Sequence, residues 1–399
     1  MADTNPRVQT STDHLARATR SKYGHVLDDI THITSHNTNH ADVKIENFIG
    51  YSTVPMGLAG PLRIHGIDGY NNDTYAPMAT TEAALIASCC RGCKAINQSG
   101  GVKFHVFDDG MSRAPVFRFP GPDDGIAFVQ RLPELQPAII EQAESTSRHA
   151  RVKKLTPHVM GSEVHLHFDY TCGDAAGQNM VTIATQWVCE WLMEPARRRE
   201  LRILDYQVEG NMSSDKKPSS GNVTTPRGVR VMAWASISET ACCDVFGCPA
   251  ESLYVAYRRM EAATIRNGLH GSNVNTANVL AAIFIAAGQD AGSVAEASWS
   301  HTALEYDRPN QCLKASVYFP SLPVGVVGGG TSYPTQQEAL RIMKCTGSGG
   351  KRRLAGIIAS FALALDMSTL AAIGSNTFSQ AHQLLARRPP VDRYAGVKL

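Results

Sequence analysis

Two charged segments carry residue types that chemistry uses. The run EGNMSSDKKPSS, Glu209 to Ser220, sets Lys216 and Lys217 beside Asp215 and ahead of Pro218. A proline disfavours helical geometry in the residue before it, so Lys217 belongs to a fixed, polar, cationic turn. By itself such a run reads first as a solvated charge cluster. Asp290 lies within NTANVLAAIFIAAGQDAGSVAEAS, Asn275 to Ser298, a stretch apolar on nearly every face and read as a helix enclosed by protein. A carboxylate there must be paired or well hydrogen-bonded, in a structural ion pair or in an acid network, and the segment leaves both open. Gly325 to Thr331 (GVVGGGT) follows a strand-like segment and precedes the helical pattern TQQEALRIMK. Its backbone N–H groups can approach a phosphate or an amide closely, or simply make turns.

Other motifs are excluded. No Gly-x-Gly-x-x-Gly joins a strand to a helix, so a Rossmann site is not indicated, although a nicotinamide cofactor is not thereby excluded. TGSGGKR, Thr346 to Arg352, imitates a phosphate loop, but Cys345 stands where the first glycine belongs and Arg352 where a metal-binding Ser or Thr belongs. CCRGC (Cys89, Cys90, Cys93) and CCDVFGC (Cys242, Cys243, Cys248) lack the paired spacing of a zinc site and read as free thiols, with no metal expected. His165 and His167 share a strand face without a third ligand and read as structural.

These residues need elements to hold them. The chain has 399 residues, 43% of them hydrophobic, enough for roughly two or three domains. Lys plus Arg number 38 against 36 Asp plus Glu, so there is no global basic field for nucleic acid or an anionic membrane. The apolar runs Ala277 to Gly288 and Leu354 to Leu365 fall short of the roughly 20 residues that span a bilayer and read as buried helices. The N-terminus lacks the apolar core of a secretory signal, which predicts a cytoplasmic location. The final Val397, Lys398 and Leu399 half-match a peroxisomal address and give the alternative. From Ala114 to Glu209 the pattern runs strand (APVFRF), helix (from Asp123 to about Thr146), strand (VKKLTPHV), strand (EVHLHFDY), helix (from Asp174 to about Arg199), strand (RILDYQV). That order predicts a ferredoxin-like module inserted into a larger unit. The fold class is therefore α+β: a large, mostly helical substrate domain from residues 41–113 and 210–399 around a buried central helix, with the insertion at 114–209. Residues 1–40 form a short lead-in.

Seven segments, in order, resemble the signature segments of the 3-hydroxy-3-methylglutaryl-coenzyme A (HMG-CoA) reductase family. They are ENFIGYSTVPMGLAGPL, MATTEAALIAS, DGMSRAP, GDAAGQNM, SDKKP, GQDA and VGGGT, and the likeness covers about residues 41 to 387. The resemblance implies NADPH-dependent reduction of HMG-CoA to mevalonate and free CoA, with the insertion binding the cofactor and active sites shared in a dimer or tetramer. It overrides the blander readings of Lys216 and Asp290. Lys216 becomes the cation that stabilises the substrate oxyanion, and Asp290 the carboxylate that keeps Lys216 charged. Glu82 becomes the proton donor, which asks for a pKa near neutrality, against a position in the first turn of a helix from about Thr80. His382 becomes the acid that protonates the departing thiolate. The substrate-binding positions implied are Ser88, Arg91, Arg113, Asn211, Asp215, Lys217, Arg258 and Asn278, with Arg113 and Lys217 suited to a terminal carboxylate. The cofactor positions implied are Ser147, Arg148, Asp174, Gly177, Asn179, Gly328, Gly329 and Gly330, and Arg148 suits the 2′-phosphate of NADPH.

Four pocket positions depart from the family pattern: Cys90 in place of Asn, Glu209 in place of Ser, Arg258 in place of Lys, and Asn275 in place of His. Glu209 would repel a substrate carboxylate unless Arg258 neutralises it. These departures motivate two alternatives, a reductase of a related acyl-CoA and a non-catalytic CoA-binding paralogue. The chain after His382 also lacks the family's short basic stretch with a phosphorylatable Ser.

Overall fold

The computed structural model describes residues 52–66 and 69–378; α-helices of five or more residues are numbered below. β1 (Met56–His65) and β2 (Asn71–Ala79) form an antiparallel hairpin. α1 (Leu85–Gln98) leads into β3 (Val102–Arg113), the strand that organises the molecule. Its first part pairs parallel with β1 and antiparallel with β8 (Gly228–Ser238), while Met111–Arg113 pairs with β6 (Glu163–Thr171). Burial along β3 follows the same division. Val102 to Phe107 alternates buried and exposed, as a strand with one face in solvent must, and Gly110 to Arg113 is buried on both faces. Arg113 is thus delivered by backbone pairing to the junction of two sheet regions.

Beyond that junction come β4 (Val116–Arg118), α2 (Pro122–Ser145), β5 (Arg151–Met160), β6, α3 (Gln178–Leu192), α4 (Pro195–Leu201) and β7 (Asp205–Gln207). The strands lie in the order β7, β4, β6, β5, all antiparallel. A separate core of Phe117, Phe128, Phe168, Val181 and Val188 fills the space under the two long helices. α2 starts with Pro122 in its first turn and Asp123 and Asp124 at its positive end, which fixes the start near the predicted one. The helix predicted from Asp174 to Arg199 instead begins at Gln178 and breaks after Leu192, because Pro195 opens a new helix, α4.

The remainder is not mostly helical. β1, β2, β3, β8, β9 (His301–Asp307) and β10 (Cys312–Leu322) give it a sheet, against which α6 (Ala250–Asn267), α7 (Thr276–Ala286), α8 (Pro334–Ile342) and α9 (Gly350–Gly374) pack. α5 (Ser220–Thr224) follows the cationic turn. The central helix is α9: every residue from Leu354 to Ala372 is buried. It is long and apolar enough to cross a membrane by length and composition, but protein encloses it here. Gly92 of α1 lies against it so closely that a Cβ would collide with the carbonyl of Ala364.

The helix predicted over Asn275 to Ser298 ends at Ala286. Gly288 takes a φ of +68° and abuts the backbone of Gly330, a placement that excludes a side chain. Asp290 therefore stands in a turn beyond α7, about two-fifths exposed, and not inside a buried helix.

Candidate active site

The turn Glu209–Ser219 is held in an unusual backbone path: Asn211, Ser214 and Lys216 all have positive φ, at 69°, 59° and 57°. Its supports explain how non-glycine residues stay there. Arg227, fully buried, donates from Nε to Glu296 Oε2 at 3.0 Å, from Nη1 to the Ser112 carbonyl at 2.9 Å, and from Nη2 to Asp215. The Lys216 backbone N–H donates to the same Glu296 oxygen at 3.3 Å. Ser219 caps α5, and Asn222 Nδ2 donates to the Lys217 carbonyl at 3.0 Å. Burial pushes Glu296 up to about 7, against the pull of Arg227.

Lys216 Nζ lies 2.9 Å from Asp290 Oδ2, and Asp290 Oδ1 accepts the Gly292 N–H at 3.0 Å. The Lys216 ammonium is raised above the ordinary lysine range, first by its hydrogen bond to Asp290. One segment thus grips Lys216 twice: the Asp290 carboxylate holds its ammonium, and the Glu296 carboxylate holds its backbone N–H. Lys216 remains about half exposed, poised at a surface that a ligand can cover.

Arg113 Nη1 donates to Glu209 Oε2 at 2.9 Å and to Asp215 Oδ2 at 3.3 Å. Arg258 is not the partner of Glu209. It lies on α6, more than half exposed, paired with Glu261 one turn along. The predicted Glu209–Arg258 compensation is therefore replaced by Glu209–Arg113, because β3 places Arg113 beside the turn.

Glu82 precedes α1 and is not in its first turn. The chain enters the helix through Ala84, at a φ of 77°. Glu82 Oε2 accepts a hydrogen bond from Asn278 Nδ2 at 2.8 Å. Both residues line a largely apolar cavity of about 430 Å³ with Ser88, Arg91, Asn275, Leu365 and Phe378. Ser88 and Arg91 share a partner on α9: Ser88 Oγ lies 2.9 Å from Ser368 Oγ, and Arg91 donates to Ser368 Oγ at 2.9 Å and to its carbonyl at 2.6 Å. The turn before α7 is fixed by Asp366, fully buried in α9, which accepts from the backbone N–H groups of Val274 and Asn275 at 3.1 and 3.0 Å and from the Thr302 hydroxyl at 2.7 Å. Asn275 donates to Thr369 Oγ1 at 2.9 Å. Cys90 contacts the Gly60 carbonyl through sulfur at 3.7 Å.

Three loops converge beside Lys216–Asp290. The Val326 N–H donates to the Asp174 carbonyl at 2.8 Å, Ala175 bridges Val327, and Gln289 Oε1 accepts the Gly325 N–H at 2.8 Å. Gly328 and Gly329 have positive φ with nothing within 4 Å of where a Cβ would stand, so their backbone faces open space. Gly177 has a φ of 92° at the start of α3 and is packed against Cys172, while Asn179 is exposed in the first turn of that helix. The Asp174 carboxylate accepts from the N–H groups of Gly349 and Lys351 at 3.1 and 3.0 Å, capping α9.

The sequence profile of the family described as hydroxymethylglutaryl-coenzyme A reductase matches residues 8–387. The HMG-CoA reductase of Halobacterium salinarum is 40% identical over 353 residues, covering 87% of this chain and 85% of the relative. The chain belongs to the HMG-CoA reductase family. The Pyrococcus abyssi reductase is 35% identical over 384 residues, 94% of this chain and 93% of its own. Among solved structures, the class II HMG-CoA reductase of Streptococcus pneumoniae bound to NADPH aligns with a TM-score of 0.65 at 18% identity, over 82% of this chain and 87% of that one, a likeness of fold.

Within one chain of this reductase family member, the predicted catalytic residues fall into two groups. Asn278, which holds Glu82, lies in the first turn of α7, and Asp290, which holds Lys216, lies past its other end; the stretch from Asn278 to Ala286 alone rises about 12 Å. Ser147 and Arg148 line a separate shallow cleft of about 340 Å³ with Glu144 and Arg151. His382 lies outside the described residues. Sequence reasoning missed Glu296, Arg227, Asp366 and Ser368. The polar run Asp366, Ser368 and Thr369 within an otherwise apolar helix was the available signal for the last two.

Proposed function

We propose that this protein reduces the thioester of HMG-CoA to the alcohol mevalonate, releasing CoA and consuming two equivalents of NADPH. The observation that carries the reading is the Lys216–Asp290 pair, held from two sides at a surface bordered by bare glycine backbone. NADPH supplies the hydrides when bound. Lys216 then stabilises the negative charge that develops on the substrate oxygen, first in the hemithioacetal and later in the alkoxide formed from the aldehyde. Asp290 keeps Lys216 charged as the site closes and loses water. Glu82, oriented by Asn278, donates the proton to that oxygen, and His382 protonates the leaving sulfur. Arg113, Asn211, Asp215 and Lys217 surround the acyl group, while Ser88, Arg91 and the cavity beside Glu82 receive the CoA side.

Because Glu82 and Lys216 occupy opposite ends of α7, a complete site takes Glu82 from one subunit and Lys216 from another. Residues 114–209 read as the cofactor-side insertion. Their β-α-β-β-α-β order, antiparallel arrangement and separate core support a ferredoxin-like module. The open glycine turn Gly328–Gly330 suits the cofactor, with Gly177 and Asn179 beside it, and Arg148 suits a 2′-phosphate. Asp174 acts by fixing the loop and α9, not by direct contact.

Lys216→Ala should abolish NADPH oxidation with HMG-CoA while leaving the circular dichroism spectrum unchanged. Mixing it with Glu82→Gln, itself inactive, should restore turnover through mixed oligomers. Wild-type protein that binds HMG-CoA yet oxidises no NADPH would sink the assignment, and no recovery on mixing would sink the shared site. One observation favours a second reading, a related acyl group: Glu209 occupies Arg113. A panel of acyl-CoA thioesters separates the two.

A further inference from the structure

The carboxylate of Glu209 takes the place on Arg113 that a ligand's carboxylate would need. The Arg113 side chain is 8% exposed. Its Nη1 is shared by Glu209 at 2.9 Å and Asp215 at 3.3 Å, and its Nε is buried with no hydrogen-bond partner among the described residues. Glu209 also accepts from Ser213 Oγ at 2.6 Å and from the Asn211 N–H at 2.7 Å. No positive charge is left over on the two arginines, which face three carboxylates. The guanidiniums Arg113 and Arg227 face Glu209, Asp215 and Glu296, and Lys216 is matched by Asp290. An arriving carboxylate therefore meets an arginine already compensated, with a donor still unsatisfied behind its partner.

We infer that Glu209 is an internal competitor for the acyl carboxylate: it fills Arg113 in the unliganded protein and sets how strongly the site prefers acyl groups that carry a negative charge. The inference rests on the reading of Arg113 as part of the acyl pocket. The geometry gives Glu209 somewhere to go. Its side chain is one-quarter exposed and lines a polar cavity of about 470 Å³ with Val116, His165, Gln207, Gly210 and Asn211, whereas Arg113 does not line that cavity. A ligand carboxylate that displaces Glu209 restores the Arg113 ion pair and can also reach Nε, but it must overcome the contacts that Glu209 gives up. An acyl group without a charge has no claim on Arg113 and leaves the pair intact.

A bland alternative makes Glu209 a staple that holds the Asn211 turn. Glu209→Gln separates the two ideas, since it keeps the size and an acceptor for the Asn211 N–H while removing the charge; Glu209→Ser removes the occupant altogether. The probes are free 3-hydroxy-3-methylglutarate, which carries the carboxylate, and acetoacetyl-CoA, which lacks it, titrated calorimetrically into the full chain. Both variants should bind 3-hydroxy-3-methylglutarate about tenfold more tightly than wild type, with the affinity for acetoacetyl-CoA unmoved. Equal or weaker binding of 3-hydroxy-3-methylglutarate by Glu209→Gln, at an unchanged melting temperature, overturns the inference, and so does an equal gain for both probes. Tighter binding in the variants of a protein that never oxidises NADPH would retain the inference and remove the proposed reaction. Turnover of HMG-CoA with no gain in either variant would do the reverse.

Discussion

Glu296→Gln tests whether a buried carboxylate sets the stability of the Lys216 turn. In the folded protein the Glu296 side chain has no exposure, and burial holds its pKa at about 7, against 4.5 for the free group. Between those two values the folded state binds a proton that the unfolded chain has released. Stability from this group is therefore complete below about pH 4.5 and is lost as pH rises through about 7. At about 1.36 kcal/mol per pH unit, the gap amounts to about 3 kcal/mol. Glutamine cannot titrate, yet it keeps an oxygen for the Lys216 N–H and for Arg227 Nε. Urea unfolding of both proteins from about pH 5 to about pH 8 isolates the effect, because every other titrating group is common to the two. The stability difference, wild type minus variant, should fall by up to about 3 kcal/mol across that range. A difference flat with pH refutes the argument, because it means that Arg227 holds Glu296 ionised in the folded protein as it is in the unfolded chain over that range.

Three further outcomes follow from the packing. Asp366→Ala strands the Val274 and Asn275 N–H groups and the Thr302 hydroxyl in the core, and should cost about 3 kcal/mol or more in denaturant unfolding; Asp366→Asn should cost less. Gly92→Ala forces a methyl into the Ala364 carbonyl of α9 and should cost about 2 kcal/mol, read by the same method, while Lys94→Gly, at an exposed position of the same helix, gives the scale of an ordinary helix substitution. Arg148→Ala should raise the KM for NADPH about tenfold and leave the KM for NADH in place; equal effects on both cofactors would remove Arg148 from the 2′-phosphate site.

Much of this was legible in sequence because it is local. The strand and helix order between Ala114 and Glu209 follows from residue periodicity and from Pro122 and the first-turn acids, and the structure places those elements close to where they were read. The pairing of Lys216 with Asp290 was anticipated because ordered motifs set both residues in one family's pattern. The errors came from treating local signals as complete. An apolar run read as one helix through Asp290 stops at Ala286, since Gly288 must pass the backbone of Gly330, a contact made across more than forty residues of sequence. Likewise Glu209 pairs with Arg113, which β3 carries to it, and not with Arg258, which is paired with Glu261 on its own helix.

The sequence by itself determined the residue types of the reaction, their order along the chain and the alternation of strands and helices, because spacing and propensity are properties of neighbouring residues. Only the tertiary structure decided which charges meet. β3 carries Arg113 to Glu209, Arg227 draws Asp215 and Glu296 to one guanidinium, and α9 buries Asp366 and Ser368 where they fix the turns beside Glu82 and Arg91. Those pairings depend on how sheet and helices stack, and a carboxylate's preference for one arginine over another is settled by distance and desolvation.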